Sequence, residues 1–242
     1  MFQYLGGKGR VSRFLINYMS AVREDNMTWV EPFMGSGKVL FNVKGPRIGN
    51  DINHELISLF KAVQNGYEPP DKVTEDEYNH MKHNQDLYPD HLKGFVSFAC
   101  SFGGKRWDSY ARGFNSSSPL TYPECGKKNI MKNKHKMKGV SLYSGDYKKL
   151  TIPPNSLIYC DPPYINTTGY GFEFDHDEFY DWCRQKVDEG HLVFVSEYEA
   201  PEDFECVWSK KVFVSLERNK TNHKEEKLFR VHKKQKFKLI TY

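Results

Sequence analysis

Apolar residues along this chain gather in short blocks separated by glycine and by long polar stretches. Trp29-Val30-Glu31-Pro32-Phe33 reads as a short strand running into Met34-Gly35-Ser36-Gly37, and Lys38 to Val43 opens like a helix. Arg47-Ile48-Gly49-Asn50-Asp51 follows as a second strand ending in a carboxylate, with Asn53 placed to cap a helix over Glu55 to Gln64. Between about Glu68 and Tyr147 the pattern changes. It becomes polar and basic, is interrupted by Gly94, Gly103, Gly104, Gly113 and Gly126, and shows helical patches with little strand alternation. That predicts an inserted, mainly helical lobe over 68–147, with 1–67 and 148–242 forming the main domain. Strand signals return in Ser156 to Asp161, a helix follows over Asp177 to Glu189, and His191 to Ser196 reads as a buried strand. Val212 to Leu216 and Lys227 to Val231 are spaced for a hairpin, and Phe237 to Ile240 for a last strand. The fold class expected is α/β, a mostly parallel sheet with an antiparallel edge hairpin.

Composition narrows the class. With 242 residues, 38% hydrophobic, 27% charged and 15% aromatic, the chain has the make-up of a folded globular protein rather than a disordered one. No apolar run approaches bilayer length and the first residues hold no secretory core, so no membrane partner and a cytoplasmic location are expected. Five scattered cysteines without a C-x-x-C pair fit a reducing compartment. His80 and His83 have helical spacing and Cys125 and His135 lie downstream, but no paired cysteine motif completes a zinc set, so no metal is expected. The formal charge of +4 is unevenly placed: six lysines fall between Lys127 and Lys138, and eleven cations between Lys210 and Lys238. Local basic faces suit a polyanion, while a single such run is usually a solvated surface.

Three segments carry chemistry. Asp161-Pro162-Pro163-Tyr164 follows the apolar run Leu157 to Cys160 and sets a carboxylate and an aromatic ring at a strand's end. The two prolines fix φ and remove two donors, leaving rigid carbonyl acceptors. A planar primary amine needs acceptors for both hydrogens and a face to stack on, and Asp161, the Pro162 carbonyl and Tyr164 can supply them; a Pro-rich turn after a buried strand explains the same residues. Gly35 and Gly37 let backbone approach a ligand, and Asp51 is placed to accept from ribose hydroxyls, so a nucleoside cofactor and an ordinary βα turn both fit. A P-loop would need glycine at Pro32 and Ser or Thr at Val39, and a dinucleotide fingerprint a further glycine at Leu40, so neither is present. Tyr4-Leu5-Gly6-Gly7-Lys8 joins an aromatic, a permissive backbone and a cation, as a cofactor clamp or a loose leader.

Taken in order, these motifs resemble the DNA adenine-N6 methyltransferases of the class in which the cofactor half precedes the target-recognition lobe and the D-P-P-Y half follows it. The family's aromatic-x-Gly-Gly-Lys motif is Tyr4, Gly6, Gly7 and Lys8, its E-P-F-x-G-x-G motif is Glu31 to Gly37, its N-D-I-N acid motif is Asn50 to Asn53, and its catalytic motif is Asp161 to Tyr164. The resemblance implies a doubly wound, Rossmann-like sheet and S-adenosylmethionine as methyl donor. It implies a cofactor site of Tyr4, Gly6, Gly7, Lys8, Glu31, Phe33, Gly35, Gly37, Asp51 and Asp161, and a catalytic site of Asp161, Pro162, Pro163 and Tyr164. The partner implied is double-stranded DNA whose target adenine is flipped out to be reached. Within the lobe, Ser101 to Arg112 alternates cations with aromatics among glycines, which suits DNA contacts from Lys105, Arg106, Trp107, Tyr110 and Arg112; a packed loop with solvated cations is the competing view. This stretch departs from the hairpin of the GATC-methylating enzyme, so that target sequence does not carry over. Thr167, Thr168, Tyr170, Phe172 and Phe174 read as a flap or as ordinary aromatic packing, and Ser196-Glu197-Tyr198 ends the neighbouring strand. The same acceptor geometry also serves a protein glutamine or an RNA base, and a silent DNA-binding module would keep the fold alone. The chain shows no nuclease-like extension, which fits a solitary or phage-type enzyme.

Overall fold

Strand β1 (Thr28–Glu31), β2 (Arg47–Asp51) and β3 (Val140–Ser144) are parallel and lie in the order β3-β2-β1, with Trp29 opposite Arg47 and Asp51 opposite Ser144. Trp29, Val30 and Glu31 are all buried, the signature of a strand covered on both faces, whereas β3 alternates buried Val140 and Leu142 with exposed Ser141 and Tyr143. The computed structural model describes residues 2, 4, 6–113, 120–164, 174–214 and 222–233. It divides into two units, Met1–Glu24 with Trp29–Thr151 and Asp25–Thr28 with Ile152–Tyr242.

In the first unit the helices are α1 (Ser12–Val22), α2 (His54–Gln64), α3 (Glu75–His83), α4 (Asp90–Ala99) and α5 (Tyr122–Met137). Asn53 caps α2 by accepting from Leu56 N–H at 2.9 Å, as its position predicts. Thr74 and Glu77 form a reciprocal capping box on α3, and Glu124 accepts from Thr121 N–H at 2.8 Å at the start of α5. The helix expected over Lys38 to Val43 is reduced to one 3-10 turn, Leu40–Asn42. Gly37 enters it at φ +67° with the Phe41 ring filling the space where a β-carbon would stand, and Gly45-Pro46 follows at once, so no room is left for a second turn.

Two glycines read in the sequence as interruptions are contact points inside helices. A β-carbon on Gly94 would come within 2.2 Å of the Glu55 carbonyl oxygen, and one on Gly126 within 2.7 Å of the Ala99 β-carbon. They let α4 lie tightly on α2, and α5 on α4. Most of residues 1–67 and all of 68–147 fall in one unit, and the segment expected to be mainly helical, with little strand alternation, contributes β3. Its pattern Val-Ser-Leu-Tyr-Ser is two buried positions long, too short to stand out from the polar surroundings.

The second unit contains β4 (Ser156–Cys160), α6 (His176–Asp188), β5 (Leu192–Glu197), β6 (Phe204–Val214) and β7 (Asn222–Val231). The order is β4-β5-β7-β6, with β4 and β5 parallel and β7 antiparallel to both its neighbours. Each of the orders 3-2-1 and 4-5-7-6, parallel except for the hairpin, is of the kind found in one half of a doubly wound α/β fold. Asp175 caps α6 by accepting from Glu178 N–H at 2.9 Å. The hairpin expected from Val212 to Val231 is present and longer than the sequence suggested, beginning at Phe204. The last strand expected over Phe237 to Ile240 lies outside the described residues. No helix among the described residues is long and apolar enough to cross a membrane.

Candidate active site

The first unit gathers its chemistry at the carboxyl ends of β1 and β2. Leaving β1, the chain turns through Gly35, at φ +47°, and Gly37, and the Gly35 N–H donates to one Asp51 carboxylate oxygen at 2.8 Å. The Asn53 N–H donates to the other at 2.9 Å, so the carboxylate is clamped between two backbone donors with an outer lone pair on each oxygen still to be used. Burial pushes the Asp51 carboxyl above the ordinary carboxylate range, against the pull of the two hydrogen bonds from Asn53 and Gly35. Asn50, the preceding residue, donates to the Pro32 and Gly145 carbonyls at 3.1 and 2.9 Å and so ties the exits of the three strands together. Glu31 is buried and accepts from the Trp29 indole at 2.8 Å, while Phe33 tilts against Tyr147 with ring centres 4.9 Å apart.

The amino-terminal segment is anchored rather than loose. Phe2 stacks between Phe60 and Phe98, and the Tyr4 ring lies 5.1 Å from Phe98 and against Gly35, where a β-carbon would meet it at 3.0 Å. Gly7 N–H donates to the Tyr4 carbonyl at 3.1 Å, Gly6 has φ +74°, and Lys8 is buried with its carbonyl starting the turn into α1. The tip of Lys38 runs beside Gly7 and Gly9, about where their β-carbons would be, and burial lowers its ammonium pKa. Lys38 was not singled out in the sequence; its only signal is that it follows Gly37.

In the second unit the Asp161 to Tyr164 turn leaves β4. Tyr164 is buried, donates its hydroxyl to Glu226 at 2.9 Å and meets Tyr198 edge to face at 4.6 Å. Burial, then the charges of Asp161 and Glu226, hold its phenol well above the ordinary value, so it stays protonated. Tyr198 is likewise pushed up to about 12, mainly by burial. His176, at the start of α6, donates from Nε2 to the Pro163 carbonyl at 2.9 Å, and buried Glu197 stands 4.0 Å from the same nitrogen. His176 and Glu226 lie 13 and 62 residues from their partners. No local pattern reveals such a pair. Thr167, Thr168, Tyr170 and Phe172 lie outside the described residues, while Phe174 packs on His176 and Phe179.

The residues assigned to DNA contact have varied surroundings. Lys105 is exposed. Arg106 forks onto the buried Glu55 carboxylate at 2.9 and 3.2 Å, a group also approached by Lys93 at 3.7 Å. Trp107 is buried at φ +50°, Tyr110 donates to the Val73 carbonyl at 2.7 Å, and exposed Arg112 pairs with Glu75 at 2.8 Å. Phe102, next to the left-handed Gly103, is exposed. His80 and His83 hydrogen-bond to Tyr88 and the Asn79 carbonyl, and no cluster of three or more potential metal ligands occurs among the described residues.

With the motifs of the first unit in place, sequence comparison finds a similarity over the segment that carries them. The family model of the D12 class N6 adenine-specific DNA methyltransferases matches residues 4–103. The matched segment holds the clamp, the glycine turn and Asp51, and ends before the Asp161 to Tyr164 turn. Modification methylase StsI of Streptococcus sanguinis is 26% identical over 211 residues, an alignment covering 74% of this chain and 30% of the methylase, so the chain spans under a third of that relative's length. Among solved structures, yhhF of Escherichia coli is similar at 10% identity, a TM-score of 0.38 and coverage of 92% of this chain and 84% of that one. SMU.472, solved in complex with SAH, is similar at 12% identity, a TM-score of 0.35 and coverage of 96% and 56%.

Proposed function

We propose that this chain methylates N6 of adenine in double-stranded DNA, using S-adenosylmethionine. The observation that supports this reading best is the doubly clamped Asp51 carboxylate beside Gly35, inside the segment that the D12-class family model matches. That carboxylate has acceptor capacity for vicinal hydroxyls, Gly35 and Gly37 open the backbone beside it, and Tyr4 supplies an aromatic wall, which fits a nucleoside-bearing cofactor. When bound, S-adenosylmethionine supplies an electrophilic methyl on a sulfonium. Residues Tyr4, Gly6, Gly7, Lys8, Glu31, Phe33, Gly35, Gly37 and Asp51 are proposed to hold it, with Asp161.

The adenine amino lone pair is delocalised into the ring and is a poor nucleophile. Acceptance of its two hydrogens by the Asp161 carboxylate and the Pro162 carbonyl favours a pyramidal nitrogen and offsets the positive charge that develops on N6 during an in-line displacement. Pro163 stiffens this corner and is itself fixed by His176; Tyr164, locked by Glu226 and Tyr198, offers an aromatic surface to a base extruded from the duplex. No covalent enzyme intermediate is needed. The segment 68–147 is proposed to recognise the target, with exposed Lys105 and Arg112 as its cations toward phosphate, while Arg106 and Trp107 shape the loop.

Methyl-labelled cofactor offered to duplex DNA, RNA and protein separates the readings. Label in duplex DNA, abolished by Asp161→Ala in a protein that melts like wild type, is the expected result. Label in RNA or protein, or in none of the three, contradicts it.

A further inference from the structure

The hairpin of β6 and β7 outruns the sheet that supports it. β7 pairs with β5 only from Arg230 opposite Phe194 to Lys227 opposite Glu197, the last residue of β5. Beyond that point, among the described residues, β6 and β7 pair only with each other, from Lys210 opposite Glu226 to Val214 opposite Asn222. Five further pairs at the rise of an antiparallel strand make an arm of about 15 Å. Because β4 and β5 are parallel, with Cys160 opposite Val195, the arm projects past the carboxyl end of β5, the same end at which the Asp161 to Tyr164 turn leaves β4. Its root touches that turn: Glu226, in the first pair of the arm, accepts the Tyr164 hydroxyl at 2.9 Å.

Among the described residues no third strand joins this ribbon, and a two-stranded ribbon is marginal in water by itself and gains from a partner along its length. From Ser209 to Lys227 the sequence holds six cations and three acids, and one of those acids is engaged by Tyr164. Lys210 and Lys211 are both exposed, and as successive strand residues they leave opposite faces of the ribbon. A major groove about 12 Å wide admits such a ribbon, with a cation toward each wall.

We propose that this arm is a second DNA-contacting element, lying along the duplex beside the extruded base and gripping the backbone through Lys210 and Lys211. The inference rests on the reading of the chain as a duplex-DNA methyltransferase. The test is the affinity of Lys210→Gln/Lys211→Gln for a fluorescent duplex, measured by anisotropy with S-adenosylhomocysteine present and over a range of salt. Loss of two phosphate contacts should flatten the logarithmic salt dependence by about 1.8 and weaken binding on the order of tenfold at low salt. Calorimetric affinity for S-adenosylhomocysteine and the melting temperature should be unchanged, and Lys210→Arg/Lys211→Arg should bind the duplex like wild type. Unchanged duplex affinity and slope in a normally melting glutamine variant overturn the arm's role, while wild-type methyl transfer to DNA would leave the proposed function standing. A wild-type dimer in light scattering that the glutamine variant dissolves, with duplex binding unaltered, would assign the arm to a second copy instead. Failure of the wild-type protein to bind duplex DNA at all would remove both.

Discussion

At the scale of the residue, Asp51 shows how a fold holds a carboxylate in place. Its two oxygens are fixed by Gly35 and Asn53, and burial raises its pKa. The acceptor form is the charged one, so affinity for S-adenosylhomocysteine should fall on acidification as pH passes through the raised pKa, sooner than for an ordinary aspartate; titration calorimetry against pH checks this. One Gly37 α-hydrogen faces the Phe41 ring, and a methyl in its place would sit 2.3 Å from that ring at φ +67°. Gly37→Ala should therefore cost about 2–3 kcal/mol, combining a clash with a left-handed backbone, and should show as a lowered denaturation midpoint. Tyr4, Lys8, Asp51 and Asp161 stand out in the sequence because each sits in a short motif; the contacts of Lys38, His176 and Glu226 are the structure's addition. Those three do not stand out, because their contacts pair residues far apart in sequence or, for Lys38, arise from a neighbour's missing side chain.

At the scale of the element, the cations of the loop from Ser101 to Arg112 differ in their surroundings. Arg106 neutralises Glu55, which is buried on α2 four residues after Asp51. Removing the guanidinium strands that carboxylate with only Lys93 nearby, so Arg106→Met should destabilise the protein by about 1–3 kcal/mol, seen as a fall in melting temperature. Lys105→Gln, on an exposed side chain, should leave melting unchanged and weaken duplex binding. The alternation of cations and aromatics announced a loop of interest, but sequence alone gave no means of telling an Arg that faces a buried acid from one that faces solvent. The same blindness applies to Gly94. Read as a break in a helix, it is the point where α4 meets the Glu55 backbone, and Gly94→Ala should cost about 2–3 kcal/mol by forcing the two helices apart, measurable by chemical denaturation.

At the scale of the molecule, the alternation of strands and helices was readable because β4 and β5 are nearly continuous apolar runs and β1, β2, β4 and β5 each end at a carboxylate or a proline turn. β1, β2, β4 and β5 all fall within a residue or two of where the pattern put them. β3 was missed because two buried positions make too weak a signal, and the Lys38 to Val43 helix was over-read because an apolar spacing cannot report that Gly37 and Pro46 crowd it from both sides. The functional reading joins the two halves of the chain through chemistry: a clamped carboxylate for a nucleoside in one, a rigid oxygen-lined turn for an amine in the other. Sequencing of methylated bases in the DNA of cells expressing this chain, beside cells expressing Asp161→Ala, tests that union most directly. N6-methyladenine at one recurrent sequence, present with the wild-type chain and missing with the variant, is the expected result; unmodified adenine in both, or a methyl group on cytosine instead, would contradict it.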